Sequence, residues 1–114
     1  MKVVEYMDIK FCIGQNAKEN WDLFEQLKTE NCDYIWFHLN SFPSPYVIMK
    51  STLFELQDNS RNDFLMFGAN LCKQNTKYRD LKDIKICYTS LKKLKKGDQI
   101  GEVIIRGKPG IIKL

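Results

Sequence analysis

In the stretch YIWFHLNSFPSPYVIMK, Trp36 and His38 stand two apart, and Tyr46 opens a second apolar run after a turn built on Pro43 and Pro45. Side chains two apart share a face in a strand. Tyr34, Trp36 and His38 therefore form one of two things. They offer a ligand two stacking rings and an imidazole, as single-stranded nucleic-acid binders do, or they are core side chains beneath a helix. Tryptophan is substantially buried in most folds, which favours the core alternative.

A second group of chemistry-bearing residues is cationic. Lys92, Lys93, Lys95 and Lys96 lie within TSLKKLKKG, and Lys77 and Arg79 lie in TKYR. Ammonium and guanidinium groups so placed contact phosphates without reading bases. The plainer reading of Lys77 and Arg79 is a complement to a helix C-terminus, and that of the lysine run is a solvated face.

The remaining residue types do not assemble a reaction centre. His38 is the single histidine, and a nucleophile–base pair with a cysteine would depend on tertiary contact that no spacing nominates. The chain has no glycine-rich phosphate loop, dinucleotide fingerprint or GxSxG turn, and its carboxylates are scattered. Cys12, Cys32, Cys72 and Cys87 form no CxxC pair. Reduced, mostly buried thiols are expected, with no metal site, no cofactor and no enzymatic activity.

The elements that would position these residues follow from periodicity. KVVEYMDIKFCIG reads as one or two strands, with Ile9, Phe11 and Ile13 alternating and Gly14 ending them. NAKENWDLFEQLK then switches to a helix over about residues 17–29. Asn16 is its cap, Glu19 reaches back, and Trp21, Leu23, Phe24 and Leu27 form the apolar stripe. In YIWFHLN, Ile35, Phe37 and Leu39 point one way and Tyr34, Trp36, His38 and Asn40 the other. SFPSP stops that strand, since proline cannot donate to a ladder. YVIMKS is the next strand.

DNSRNDFLMFGANLCKQNTKY is the main helix, with Ser60 and Asp63 suiting its start. Leu65, Ala69, Cys72 and Thr76 line its stripe, widened by Phe64 and Leu71, and Gly68 and Ala69 permit close approach to a sheet. Three strands follow. IKICYT is the first, SLKKLKKG is a basic or single helical turn, and GEVIIRG is paired as a hairpin with IIKL through KPG, where Pro109 and Gly110 suit a turn with positive φ at the glycine. The expected architecture is α+β: a mixed or mainly antiparallel sheet with two packed helices, in one domain over residues 1–114.

The 114 residues suit one domain, and 44% hydrophobic with 28% charged residues suits a packed core rather than disorder. No apolar run approaches the roughly 20 residues that span a bilayer, and no signal peptide is read at the N-terminus. The net charge of +4 is uneven. Residues 76–114 hold eleven Lys or Arg against four Asp or Glu, whereas residues 1–75 hold seven against ten. A one-sided basic end favours a polyanionic partner.

Taken in order, IGQNAKEN, WFHLNSFPSPYVIM, ANLCKQNTKYR, ICYTSLKKLKKG and GEV resemble the NFACT RNA-binding domain (NFACT-R) over nearly the whole chain. That domain occurs at the end of ribosome quality-control factors and forms the body of small standalone coiled-coil-domain proteins. The family's early Gly–basic–Asn and Glu–Asn fall on Gly14, Gln15, Asn16, Glu19 and Asn20, with Gln15 in place of the basic residue. Its Trp–Phe–His falls on Trp36, Phe37 and His38. Its Ser–Lys–x–Arg falls on Thr76, Lys77, Tyr78 and Arg79, and its Tyr–Thr with lysine run on Tyr88, Thr89, Lys92, Lys93, Lys95 and Lys96. Of the family's Gly–Ser–His–Val, only Val47 is kept after Ser44, Pro45 and Tyr46. No coiled-coil tail is read after the domain.

The resemblance implies a cytoplasmic, non-catalytic module for structured RNA or a ribonucleoprotein, ribosomal particles included, with DNA as a further polyanion. Phosphates would sit on Lys77, Arg79, Lys92, Lys93, Lys95 and Lys96, and Trp36, His38 and Tyr46 would line an aromatic and polar spot. The alternative is a module that docks an acidic protein surface.

Overall fold

Two left-handed residues close the first hairpin. β1 (Lys2–Tyr6) runs into β2 (Ile9–Ile13) through Met7 and Asp8, whose φ angles are 47° and 69°, and Tyr6 pairs with Ile9. A two-residue loop with both φ positive matches the right-handed twist of the strands it joins. The computed structural model describes residues 1–56 and 58–114.

β2 passes through Gly14 into α1 (Ala17–Glu30). Asn16 is extended and caps the helix, its Oδ1 accepting from the Glu19 amide at 2.9 Å. The Glu19 carboxylate reaches back to accept from the Gln15 amide at 3.2 Å, one residue before the cap. This reciprocal arrangement satisfies amides that the first turn leaves without intrahelical partners. α1 buries Leu23, Phe24 and Leu27, each contributing about 1.5–3 kcal/mol through removal from water.

β3 (Ile35–Leu39), β4 (Val47–Met49), β5 (Lys85–Ser90) and β8 (Gly110–Lys113) complete a six-stranded sheet of order β1-β2-β4-β3-β5-β8. All its pairings are antiparallel. The alternation of β3 divides the core as its period requires. Ile35, Phe37 and Leu39 join the cluster under α2 (Asp58–Gln74), while Trp36 joins Leu23, Phe24, Leu27 and Tyr46 under α1. The fold is therefore α+β, with one helix on each face of one sheet. The Cα radius of gyration, 12.8 Å, is that of one compact body of this length, about 13 Å.

α2 sits tight on the sheet because of one glycine. A Cβ built on Gly68 would lie 2.4 Å from the tip of the Phe37 ring. Ala69 and Cys72 beside it are fully buried, so the helix backbone rests directly on β3. Its first residue is Asp58, two before Ser60, which lies inside the first turn rather than at the cap.

The C-terminal third differs from the expected layout. Leu91–Lys93 is a 3-10 turn, and Leu94–Lys96 is a further strand, β6. β6 pairs with β7 (Val103–Ile105) as a separate two-stranded ribbon. β8 crosses to the edge of the main sheet and pairs with β5. KPG is thus no hairpin turn, and the positive φ values belong to Gly101 (90°) and Gly107 (80°), not to Gly110. Gly110 has another reason to lack a side chain, since a Cβ there would lie 2.2 Å from the Tyr88 ring. Among the described residues no helix is long and apolar enough to cross a membrane, and the four cysteines are free, with Cys32 alone exposed.

Candidate nucleic-acid interface

Five segments meet around one open cleft of about 760 Å³. The β2–α1 junction supplies Gly14 to Ala17 and Asn20, β3 supplies His38, and the turn before β4 supplies Pro43 to Pro45. The segment after α2 supplies Asn75 to Tyr78, and the β6–β7 loop supplies Ile100 and Gly101. Gly14, Asn16, Asn20, His38 and Lys77, all singled out in the sequence, share this cleft.

The walls are built by specific contacts. The Asn20 side chain is buried and its Oδ1 accepts from the Tyr46 amide at 3.1 Å. Gly14 donates its amide to the Tyr46 carbonyl at 3.0 Å. A Cβ on Gly14 would lie 2.1 Å from Asn20 Oδ1, so glycine at 14 and asparagine at 20 are one device that ties the start of α1 to β4. Glu19 is held away from ligand duty by the chain's amino terminus at 2.6 Å, whose hydrogen bond is the main reason its carboxyl titrates below the ordinary range. Asn16 is occupied as the cap. These four residues shape the cleft rather than hold a ligand.

Ser44 closes the bend after β3. Its Oγ accepts from the Leu39 amide and donates to the Pro45 carbonyl, both at 3.0 Å. Thr76 Oγ1 donates to the Lys73 carbonyl at 2.8 Å and accepts from the Tyr78 amide at 3.1 Å, shaping the turn that presents Lys77. Lys77 and Arg79 are exposed, and neither has a carboxylate partner among the described residues. The N-terminal end of α1, the positive end of its dipole, lies across the cleft from Lys77.

His38 is half-buried. Its Nδ1 lies 2.7 Å from the Leu39 carbonyl. A carbonyl only accepts, so Nδ1 carries the proton and Nε2 the lone pair. Burial pulls its pKa below 6.5, and the ring is neutral at pH 7.

Trp36 and Tyr46 are not available as stacking platforms. Each is 1% exposed. α1 and the β6–β7 ribbon cover the face that carries them, and hydrophobic burial decides the question. The Trp36 ring stacks on His38 at 5.4 Å and meets Tyr46 edge-on at 5.5 Å, so both rings are supports for His38. The Tyr46 hydroxyl donates to the Gly101 carbonyl and pins the tip of the ribbon at the cleft.

The lysine run is a different surface from the cleft. The β6–β7 ribbon lies along α1. Its tip meets Ala17, since a Cβ on Gly101 would sit 2.9 Å from that side chain. Trp21 Nε1 donates to the Glu102 carbonyl at 3.0 Å, Lys96 pairs with Glu25, and Lys28 donates to the Leu94 carbonyl at 2.9 Å. At the far end Lys92 pairs with Asp33 at 2.9 Å. Lys92 and Lys77 therefore flank opposite ends of α1, about 20 Å apart for a helix rising about 1.5 Å per residue. Lys93 and Lys95 are exposed with no carboxylate partner among the described residues, whereas Lys92 and Lys96 are engaged, Lys96 also lying over the Trp21 ring at 4.7 Å. Asn75, Ile100 and Gly101 were not singled out in the sequence. They carry no distinctive chemistry, and tertiary contact alone brings them to the cleft.

No family model and no curated protein matches the chain. Among solved structures, it is similar to the C-terminal of the fibronectin/fibrinogen-binding protein from Streptococcus suis, with a TM-score of 0.73 and 24% sequence identity over 93% of this chain. The match covers 40% of that chain, so this protein spans less than half of the structure it is similar to. At that identity the likeness establishes the α+β fold shared by the two.

Proposed function

We propose that the chain is a non-catalytic nucleic-acid-binding module of the NFACT-R type, acting in the cytoplasm on structured RNA or a ribonucleoprotein. The observation that carries this reading is convergence. Gly14, Asn16 and Asn20, then His38, then Thr76 and Lys77 are matched to the family in three separate segments, and they line one cleft. Lys77 and Arg79 take phosphates at the cleft, and Lys93 and Lys95, joined by Lys92 and Lys96 once their carboxylates are displaced, take phosphates along α1. Exposed ion pairs such as Lys92–Asp33 are worth about 0–1 kcal/mol, so exchanging a carboxylate for a phosphate is cheap.

The test is an anisotropy titration with a structured RNA hairpin across a salt series. Binding should weaken steeply with salt, and each lost phosphate contact should reduce the logarithmic slope by about 1. Lys77→Ala with Arg79→Ala, and separately the quadruple alanine variant of the lysine run, should both weaken binding to unrelated RNAs alike. Unchanged affinity in both variants would sink the proposal.

The name of the similar Streptococcus suis protein favours a second reading, a protein-docking module whose basic face meets an acidic partner. Capture of an acidic protein by the wild type, lost in the quadruple variant, together with no RNA binding at low salt, would select it.

A further inference from the structure

Lys85 and Lys113 stand directly opposite each other across β5 and β8. The pair beside them, Ile84 and Leu114, exchanges both backbone hydrogen bonds at 2.8 Å. Lys85 and Lys113 are therefore a non-hydrogen-bonded pair, the kind whose Cα atoms lie closest, about 4.5 Å apart. Both are exposed, and neither has a carboxylate partner among the described residues. Like charges so placed destabilise a sheet, a cost that a bound anion removes. Ile86 and Ile112 belong to the cluster under α2, so by alternation both ammonium groups rise from the other face, the one that carries His38 and Cys87.

A groove of about 410 Å³ runs between this pair and the cleft. Its walls are the ribbon, at Val103 and Ile105, and the bend after β3, at Asn40 and Phe42. Asn40 donates its amide to the Lys85 carbonyl at 2.8 Å, which brings one end of the groove to the lysines. The other end shares His38, Pro43 and Gly101 with the cleft. Phe42 is 37% exposed, and its ring lies 4.4 Å from that of Tyr78, which lines the cleft. Glu102, the only acidic lining residue among the described residues, turns its carboxylate back to the Asp98 amide at 3.2 Å. We infer that this groove takes a single-stranded extension of the RNA held at the cleft, with a base against Phe42 and phosphates on Lys85 and Lys113. The inference rests on the nucleic-acid reading proposed above. An exposed ring in an apolar trough that ends on unpaired cations is the combination that binds single strands, and the trough is far too small for a duplex. The supported ring favours a base over an acidic peptide, which the lysines alone would attract.

Anisotropy titrations on the full chain compare a blunt RNA hairpin with the same hairpin carrying a short single-stranded extension, at the 5′ end in one probe and at the 3′ end in another. The wild type should bind one of the extended hairpins about tenfold more tightly than the blunt one. Lys85→Gln with Lys113→Gln should abolish that preference, lower the logarithmic salt slope for the extended hairpin by about 0.7 per phosphate lost, and leave blunt-hairpin binding in place. The same double variant should melt at or above the wild-type temperature, because it removes a repulsion; a residue needed only for folding would behave in the opposite way. Phe42→Ala should also lose the preference. A wild type that binds all three hairpins alike, or a double variant that keeps the preference, overturns the inference and leaves RNA binding at the cleft standing. Binding to none of the hairpins removes both. Binding of polyglutamate that the double variant loses, with no preference for an extension, assigns the lysines to an acidic protein partner and overturns the inference too.

Discussion

Replacing Gly68 by alanine sets two opposite effects against each other. In an exposed helix interior the change stabilises by about 1 kcal/mol, because glycine is the costlier helix residue. Here the new methyl would lie 2.4, 2.5 and 2.9 Å from three atoms of the Phe37 ring, all inside contact distance. Phe37 is fully buried between α2 and the sheet, so the ring has little room to retreat and the helix must lift. Overpacking of this kind costs about 1–3 kcal/mol. With three close atoms and a rigid neighbour, the upper part of that range applies, and the net expectation is a loss of about 1–2 kcal/mol. A chain of this size should then melt lower by about 4–8 °C per kcal/mol. Urea unfolding followed by tryptophan fluorescence measures it. A double-mutant cycle with Phe37→Leu should show that Gly68→Ala costs less when the ring is absent. A stability gain near 1 kcal/mol, or no coupling to position 37, would refute the reasoning. Lifting α2 also displaces the turn that presents Lys77, so the proposed RNA binding should weaken with the packing.

Trp36→Ala should cost about 3–5 kcal/mol and bring the domain near unfolding. Trp36→Phe should cost far less of it, since the buried indole Nε1 has no acceptor among the described residues to lose; equal losses in thermal melts would contradict this. Stability should be flat from pH 8 to 7 and fall as pH drops through 6.5. In that window the unfolded chain gains a proton that buried His38 refuses. The slope should vanish in His38→Gln, while the depressed carboxyls Glu19 and Glu30 act at and below pH 4.5. Changing Met7 and Asp8 to Asn-Gly should raise stability by about 1 kcal/mol by relieving two left-handed non-glycine residues, and a lowered urea midpoint would exclude that explanation.

Much of the scaffold was legible because local chemistry and tertiary demand agree. Asn16 and Glu19 mark the start of α1, and the alternation of residues 35–39 assigns each side chain to its side of the sheet. The C-terminal third was not legible for a physical reason. GEVIIRG and IIKL are both short and isoleucine-rich, and KPG carries turn chemistry, so the local pattern favours a hairpin. The pairing that forms, β8 with β5 and β7 with β6, is decided by which edge each strand can reach, and no local signal encodes that. For the site, residue type nominated Lys77 and His38, which line the cleft, and also Trp36 and Tyr46, which the fold buries. An aromatic beside a histidine looks the same in sequence whether a helix covers it or not, and only the packing of α1 and the ribbon distinguishes the two.

The ribbon that carries the lysines is held by the inward side chains of Leu94, Val103 and Ile105 and by its main chain. Trp21, Lys28 and Tyr46 reach up to carbonyls at Glu102, Leu94 and Gly101, and the amides of Leu91 and Lys92 bind carbonyls at Tyr34 and Cys32. None of these bonds reads the identity of an outward-facing ribbon side chain. Positions 93, 95, 104 and 106 are therefore free to drift, and their charge can be rewritten without loosening the mount. Such a surface can acquire or exchange ligands over evolutionary time at little structural risk. It is also the natural place for an engineer to install a new binding specificity on this domain.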